Sequence, residues 1–224
     1  KFVNSLKLEF NSHTTQIEPH DYIADLCHKI NHINSILIGF SQDVWAYISK
    51  NYFTQKNIKG EIGSSTMPHK INPINFENAE GNLGMSNAIS QYFANKLVIS
   101  RLQRDLSDST VLRNIGLVYA YSIVAYKNII LGLSKLDINK QKINDDLDEC
   151  WEILAEPIQM VARKYQISNS YEYLKKYTRG KKVDKEVIEK IIINLDIPKN
   201  EKIRLLELTP RKYIGYANKL CDVK

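Results

Sequence analysis

The 224-residue sequence is poor in residues that break regular structure, with only 9 glycines and 6 prolines. Long structured elements should therefore outnumber loops. No apolar run approaches the length of a membrane span, and no signal-peptide pattern opens the chain. The hydrophobic content of 43% and the charged content of 25% are typical of a soluble globular protein.

Cysteine is also scarce. The three cysteines, Cys27, Cys150 and Cys221, lie far apart and form no C-x-x-C pair, which argues against a disulfide framework or a zinc cluster. A reducing, cytoplasmic setting is the plain interpretation. His28 and His32 lie one helical turn apart and could be a metal pair. The glutamate of an H-E-x-x-H motif is absent. We therefore prefer to interpret both histidines as residues that flank the apolar seam of a helix.

The net charge is +6, which could favour anionic ligands such as nucleic acid. However, no basic cluster alternates with aromatic residues, and the abundance of lysine, asparagine, isoleucine and tyrosine fits AT-rich coding. We therefore prefer composition bias to a nucleic-acid surface. The chain begins at Lys1 rather than at methionine, and we expect it to be a fragment or a partly ordered chain.

Hydrophobic periodicity predicts an all-α fold. A helix is expected over about 18–52, because apolar residues recur there at alternating steps of three and four. A second helix is expected to start with Asn72 as its cap and Pro73 as its first residue. A third, over about 110–133, is apolar enough to be buried on most sides. No segment alternates with period two, so no strand is predicted.

The chain changes character near residues 134–140. We predict two domains, a central helical-bundle domain at 1–133, incomplete at its N-terminus, and a C-terminal helical domain at 134–224. The first carries a loop at 60–73 that is long enough to expect a function. Shorter amphipathic helices are expected in the second, over about 141–165, 171–177, 185–195, 199–206 and 211–221.

The segment GSSTMPHKIN at 63–72 collects groups suited to a carboxylate ligand. Its glycine frees backbone N–H groups to point at one spot, Lys70 adds a positive charge, and Asn72 supplies an amide donor. Such a cluster can stabilise a doubly negative aci-carboxylate, and in that field a serine hydroxyl can act as the base. A solvated loop with a helix cap explains Gly63 and Asn72 but not the whole set. A P-loop does not fit, because no Ser or Thr follows Lys70.

GSSTMPHKINP resembles the signature of the fumarase/aspartase superfamily, Gly-Ser-Ser-x-Met-Pro-x-Lys-x-Asn-Pro. Within that superfamily, five further segments resemble the adenylosuccinate lyase family: TTQIEPHDYIADL (14–26), NFENAEGNLGMSNAI (75–89), RLQRDLSDSTVLRNIG (101–116), LAEPIQMVARKY (154–165) and TRGKKVD (178–184). The resemblance covers the later half or so of such an enzyme. It implies a long-helix bundle of the fumarase/aspartase type followed by a smaller helical C-terminal domain.

The resemblance also implies a carbon–nitrogen lyase of purine biosynthesis that uses neither a metal nor an organic cofactor. Such an enzyme releases fumarate by anti β-elimination from adenylosuccinate, giving AMP, and from the succinyl-carboxamide ribotide of the same pathway. It further implies a cytoplasmic homotetramer whose active sites each draw residues from three subunits. Nucleic acid and membrane are not expected partners.

Residue roles follow from the same resemblance. Ser64 would be the base, Lys70 and Asn72 would hold the succinyl carboxylates and the aci-carboxylate, and Glu77 would orient the catalytic histidine. That histidine, the general acid, belongs to an N-terminal part outside this sequence, and His13 is not at its position. The chain alone is therefore expected to lack a complete site. Contacts with the substrate or its phosphate are implied for Gln16, Ser65, Met67, Asn78, Arg104, Ser109, Thr110 and Arg113.

Two alternatives stay open. Argininosuccinate lyase and fumarase share the signature loop, although RDLSDSTVLR and TTQIEPHD favour a phosphorylated purine substrate. A non-catalytic helical assembly module is opposed by the joint presence of Ser64, Lys70, Asn72 and Glu77. Which of the two purine steps would dominate is left open by the sequence.

Overall fold

The computed structural model describes residues 1–56, 72–180 and 182–222, and within these ranges its regular structure is helical apart from two three-residue strands. The all-α prediction is confirmed. The chain divides into two compact units, Lys1–Ile138 (unit 1) and Asn139–Lys224 (unit 2). The predicted domains at 1–133 and 134–224 stay a prediction.

The described elements of unit 1 are α1 (Phe2–Ser5), α2 (Asp21–Ser49), β1 (Phe53–Gln55), α3 (Ile74–Lys96), α4 (Ser107–Leu112), α5 (Ile115–Ser134) and β2 (Leu136–Ile138). The strands pair antiparallel with Thr54 opposite Asp137. The expectation of no strand is therefore wrong at this point. Three residues are too few to show a period of two, so only the tertiary pairing defines these strands.

Helices α2, α3 and α5 pack side by side with apolar contacts near both ends. One buried cluster joins the start of α2 to the end of α3 and to α4 and α5, and it includes Cys27, Phe93, Leu97, Val111 and Val118. A second cluster joins the first half of α3 to the second half of α5, through Ala79, Leu83, Ala125 and Ile129. This is the face-to-face packing expected of amphipathic helices in a bundle.

Between these clusters lies a buried polar network that joins the three helices. Asn34 of α2, fully buried, donates from Nδ2 to Ser86 Oγ of α3 and to Ser122 Oγ of α5, both at 3.1 Å. Its Oδ1 accepts from the Tyr126 hydroxyl at 2.6 Å. Ser86 Oγ also lies 2.8 Å from Ser122 Oγ and donates to the Val118 carbonyl at 2.9 Å. Because buried polar groups need such partners, the network fixes how the helices align.

The third predicted helix, over 110–133, is in fact two helices, α4 and α5, and the reason is local. Asn114, at the start of α5, has non-helical dihedrals, and its Nδ2 donates to the Thr110 carbonyl at 3.1 Å. An asparagine side chain bonded in this way competes with the helical backbone pattern. The prediction that this region is buried on most sides is also wrong, since Ile123 is 50% and Ile130 is 68% exposed.

The segment Ser107–Ser134 is also long and apolar enough, by length and composition, to cross a membrane. Its best window has a mean hydropathy of 1.4, which corrects the expectation that no run approaches such a length. The core helix of a bundle passes the same test, and α5 supplies Ser122 and Tyr126 to the buried network. We therefore assign α5 to the bundle.

The first turn of α3 packs tightly against the last turn of α5. A Cβ atom added to Gly132 would lie 2.8 Å from Phe76 Cζ and 3.1 Å from Asn75 Cβ, so only glycine fits this approach. Helix α3 begins at Ile74 with Pro73 at the N-cap, where ψ is 46°. The prediction of Asn72 as cap and Pro73 as first helical residue is therefore one residue out of register.

The described elements of unit 2 are α6 (Lys140–Glu149), a 3-10 helix (Trp151–Leu154), α7 (Ala155–Lys164), α8 (Ser170–Thr178), α9 (Lys185–Asn194), α10 (Lys199–Leu206), a 3-10 helix (Pro210–Lys212) and α11 (Ala217–Cys221). Their core includes Leu154, Ile158, Ile188 and Ile192. The helix predicted over 141–165 is broken at Cys150, whose ψ is 50°, and restarts just before Pro157. Proline is tolerated in a first turn but not in a helix interior.

Candidate active site

One group of predicted site residues lies at the start of α3. Glu77 is in the first turn, where the helix dipole favours a carboxylate, and its Oε1 accepts from Trp45 Nε1 of α2 at 3.0 Å. Asn78 follows it, and its Oδ1 accepts from Asn82 Nδ2 at 2.9 Å. Both Glu77 and Asn78 are exposed. Since Asn72 lies just before this helix, this end of α3 offers one carboxylate and two amides next to the signature segment.

Four predicted residues of the signature, Ser64, Ser65, Met67 and Lys70, lie outside the described residues. Their roles stay predictions from the sequence. The described residues end before them at Lys56 and resume after them at Asn72.

A second group surrounds α4. Arg104, Thr110 and Arg113 are exposed and Ser109 is half-buried. Two aspartates of the same stretch accept hydrogen bonds from backbone amides. Asp105 Oδ1 accepts from the Ser107 amide at 3.0 Å, and Asp108 Oδ1 accepts from the Ser109 amide at 2.6 Å.

The hydrogen bond from the Ser107 amide, with further help from Arg101 and Lys96, holds the pKa of Asp105 below its ordinary value. Asp105 therefore stays ionised and continues to accept the hydrogen bond from the Ser107 amide, which stabilises the turn that leads into α4. The groups at this short helix that can bind a ligand are two guanidinium groups, of Arg104 and Arg113, and two hydroxyl groups, of Ser109 and Thr110. Such a set suits a phosphate.

Gln16 lies four residues before His20, which approaches α4. It is exposed in the segment before α2, and the following His20 connects that segment to α4. His20 Nε2 lies 3.7 Å from Asp108 Oδ2, and its Nδ1 lies 3.4 Å from Glu18 Oε2. The His20 side chain is only 14% exposed. Sequence reasoning quoted His20 within TTQIEPHD but gave it no role, because a contact with Asp108 cannot be read from neighbouring residues.

The structure does not bring the two groups together within one chain. Helix α3 has 23 residues, so its ends are about 35 Å apart at 1.5 Å per residue. Glu77 lies at its start, whereas Val111 of α4 shares a buried cluster with Phe93 and Leu97 at its end. A substrate contacting Glu77 of one chain therefore cannot reach α4 of the same chain along this helix.

A further polar cluster beside the signature segment was missed by sequence reasoning. Lys135, only 6% exposed, donates from Nζ to Asn75 Oδ1 at 3.1 Å. Asn75 Nδ2 in turn donates to Asn128 Oδ1 at 3.0 Å. The sequence signal was weak, because Lys135 is one lysine among many and lies where the helical pattern ends.

No group of three or more histidine, cysteine or acidic side chains that could hold a metal occurs in the described parts of the chain. His28 and His32, the weighed metal pair, are both exposed on α2. They gain no third ligand of these types among the described residues.

The profile of the family described as adenylosuccinate lyase C-terminal matches residues 100–214, just over half of the chain. The chain belongs to this family. The profile described as lyase matches residues 1–87, which carry the whole signature at 63–73. The resemblance identified from the motifs is confirmed.

Several curated relatives named adenylosuccinate lyase match almost all of this family member. The relative from Escherichia coli (strain K12) is 55% identical over 222 residues, which are 99% of this chain and 49% of the relative. The relative from Buchnera aphidicola subsp. Schizaphis graminum is 58% identical, again over 99% of this chain and 49% of the relative. The relative from Legionella pneumophila (strain Corby) is 56% identical over 98% of this chain and 48% of the relative's length. The chain thus spans about half the length of the curated relatives it matches.

A solved structure shows the same fold. The 3-carboxy-cis,cis-muconate lactonizing enzyme from Pseudomonas putida superimposes with a TM-score of 0.67 at 18% identity, over 97% of this chain and 50% of that one. At this identity the likeness concerns the fold alone. The helical bundle of unit 1 is therefore an architecture shared with a distant enzyme.

Proposed function

We propose that this chain is the part of an adenylosuccinate lyase that carries the catalytic base, and that the complete protein releases fumarate from adenylosuccinate and from the succinyl-carboxamide ribotide. One observation carries the proposal. The signature GSSTMPHKINP stands unbroken in a chain that is 55% identical, over 99% of its length, to a protein of that name.

In the proposed reaction Ser64 removes the proton from the carbon beside a succinyl carboxylate. Lys70 and Asn72 stabilise the doubly negative aci-carboxylate that results, which is charge stabilisation by groups already in place. The electron pair then forms the carbon–carbon double bond of fumarate while the carbon–nitrogen bond breaks. The leaving nitrogen takes a proton from a histidine outside this sequence, which Glu77 orients.

The α4 group is proposed to hold the phosphate of the nucleotide. Arg104 and Arg113 are exposed, and ionic hydrogen bonds from guanidinium groups to phosphate are among the strong ones. Ser109 and Thr110 add hydroxyl donors, and Gln16 is tied to the same region through His20 and Asp108. This arrangement favours a phosphorylated substrate over argininosuccinate or malate.

We further propose that each site is shared between chains of a homotetramer. The 35 Å length of α3, estimated at about 1.5 Å per residue, separates the two groups in one chain, so neighbouring chains would have to supply one of them. Large apolar side chains on α2 and α5 support such an assembly, among them Ile36, 62% exposed, and Ile130, 68% exposed. A cytoplasmic location and the absence of metal, nucleic-acid and membrane partners belong to the same proposal.

The test uses a chimera in which this chain replaces the matching segment of the Escherichia coli relative. Fumarate release from adenylosuccinate is measured for the chimera and for the chain alone. We expect turnover by the chimera only, and its loss by at least about 1,000-fold in Ser64→Ala, because the base is removed. The neighbouring Thr66→Ala variant is the matched control and should retain most of the activity.

A folded, assembled chimera that releases no fumarate from either purine substrate would contradict the proposal. Turnover of argininosuccinate or malate instead would select the alternative members of the superfamily. Near-normal rates in Ser64→Ala would remove the assignment of the base while leaving the family untouched.

A further inference from the structure

Side-chain hydrogen bonds of one form join α2 to the first turns of α3. Trp45 Nε1 donates to Glu77 Oε1 at 3.0 Å, and one turn away Gln42 Nε2 donates to Glu80 Oε1 at 2.9 Å. In each bond a neutral N–H group of α2 meets a carboxylate of α3. The donors are three residues apart on one helix and the acceptors three residues apart on the other, so the two bonds lie on adjacent turns.

The packing of unit 1 does not explain why a tryptophan stands at position 45. Trp45 is 44% exposed and belongs to neither buried apolar cluster of this unit. A tryptophan stabilises a protein mainly through the apolar area that it buries, and an exposed ring buries less of it. The other group that the indole offers is its N–H, which can donate but not accept a hydrogen bond.

This N–H group restricts the carboxylate of Glu77. Glu77 is exposed in the first turn of α3, and an unrestrained glutamate side chain there would place its carboxylate differently in each rotamer. A hydrogen bond from the indole to Oε1 selects among these rotamers, and it is strengthened by the negative charge of its acceptor. No described residue donates to Oε2, so this oxygen can accept from a group outside the described residues.

We propose that Trp45 is a positioning residue of the active site, whose indole N–H holds Glu77 Oε1 and thereby directs Oε2 toward the histidine that Glu77 orients. This inference rests on the proposed function of Glu77. Trp45 itself does not touch the substrate. Its loss should therefore slow the proton transfer without weakening substrate binding.

The first test compares two replacements of Trp45 in the chimera. Trp45→Phe keeps an aromatic ring but removes the donor, whereas Trp45→Gln removes the ring but keeps an N–H donor of the kind that Gln42 uses. In Trp45→Phe we expect kcat for fumarate release to fall by about 3- to 10-fold, the range that one hydrogen bond is worth, with KM within about twofold of the parent. Trp45→Gln should recover part of the lost kcat. A role in packing alone predicts the opposite order of the two variants.

The matched control is Gln42→Met, which removes the equivalent donor one turn away on the same pair of helices. Methionine has a similar length and no N–H group. Because Glu80 has no proposed part in the reaction, kcat of Gln42→Met should stay within about 1.5-fold of the parent chimera.

A second readout needs no turnover. The sequence contains two tryptophans, so a Trp151→Phe background leaves one indole N–H signal in the proton–nitrogen NMR spectrum of the chain. A proton that is hydrogen-bonded to a carboxylate resonates downfield and exchanges slowly with water. In Glu77→Ala the Trp45 indole proton should therefore move upfield and exchange faster, and in Glu80→Ala it should do neither.

The outcomes separate the two proposals. A parent chimera without turnover contradicts the proposed function, whereas the indole signal still reports on the contact between Trp45 and Glu77. The positioning role is overturned by a kcat within about 1.5-fold of the parent in Trp45→Phe, by equal losses in Trp45→Phe and Gln42→Met, or by a lower kcat in Trp45→Gln than in Trp45→Phe. If the Trp45 variants fail to fold, the NMR signal decides, and an indole proton that Glu77→Ala leaves unmoved overturns the inference.

Discussion

Replacing Asn34 with leucine should lower the free energy of unfolding of unit 1 by about 2–3 kcal/mol. Asn34 is fully buried, and its side chain hydrogen-bonds to three residues of α3 and α5, namely Ser86, Ser122 and Tyr126. The Tyr126 hydroxyl would lose an acceptor at 2.6 Å, and an orphaned buried donor costs about 1–3 kcal/mol.

The loss of the hydrogen bonds to Ser86 and Ser122, the other two partners of Asn34, would cost less free energy. Ser86 keeps its bond to the Val118 carbonyl and Ser122 keeps Ser86, so each lost bond from Asn34 Nδ2 counts for about 1 kcal/mol. The apolar surface of leucine returns about 1–2 kcal/mol. Tyr126→Phe alone should cost about 1 kcal/mol, and combined with Asn34→Leu it should add little, because the orphaned hydroxyl is then gone.

The assay is urea unfolding followed by tryptophan fluorescence. The sequence contains two tryptophans, Trp45 in unit 1 and Trp151 in unit 2. A Trp151→Phe background leaves Trp45 as the reporter of unit 1, so unfolding of the other unit does not enter the signal. Two results would each refute the view that these hydrogen bonds exclude water and depend on one another. Either Asn34→Leu lowers the free energy of unfolding by less than about 1 kcal/mol, or the losses in the double variant are fully additive.

Two further perturbations test the packing of each unit. Gly132→Ala should destabilise unit 1 by about 2 kcal/mol in the same assay, because its methyl group would overlap the Phe76 ring; an unchanged urea midpoint would contradict the close approach. In unit 2, Lys164 Nζ donates to buried Glu201 at 2.8 Å and lowers the pKa of that carboxyl below its ordinary value of 4.5. The resulting stability is present above that pH and is lost as pH falls through the lowered pKa. In a Trp45→Phe background, Trp151 fluorescence should therefore show a shallower acid destabilisation in Glu201→Gln than in the parent.

The helices could be predicted from the sequence because their signals are local. The recurrence of apolar residues at steps of three and four predicted α2 to within three residues at each end, and the cap signal placed the start of α3 to within one residue. The breaks were missed because they depend on single residues whose effect is conditional. Asn114, whose side chain donates to the Thr110 carbonyl, lies between α4 and α5, and Pro157 lies in the first turn of α7, after the break at Cys150.

The candidate site divides in the same way. Ser64, Lys70 and Asn72 were found because their chemistry is concentrated within ten residues of sequence. The contact between Lys135 and Asn75 could not be found in this way, since the two residues lie 60 positions apart. Likewise, the contact between His20 and Asp108 requires the start of α2 to pack beside α4.

The sequence by itself determined the all-α class, the family and the residues of the signature, because each is a property of neighbouring residues or of their period. Only the tertiary structure decided which residues meet. It placed Glu77 and α4 at opposite ends of a 23-residue helix, and it brought Lys56 and Asn75 to Lys135. The physical reason is that a helix is rigid over its whole length, so packing rather than sequence order sets which distant groups come into contact.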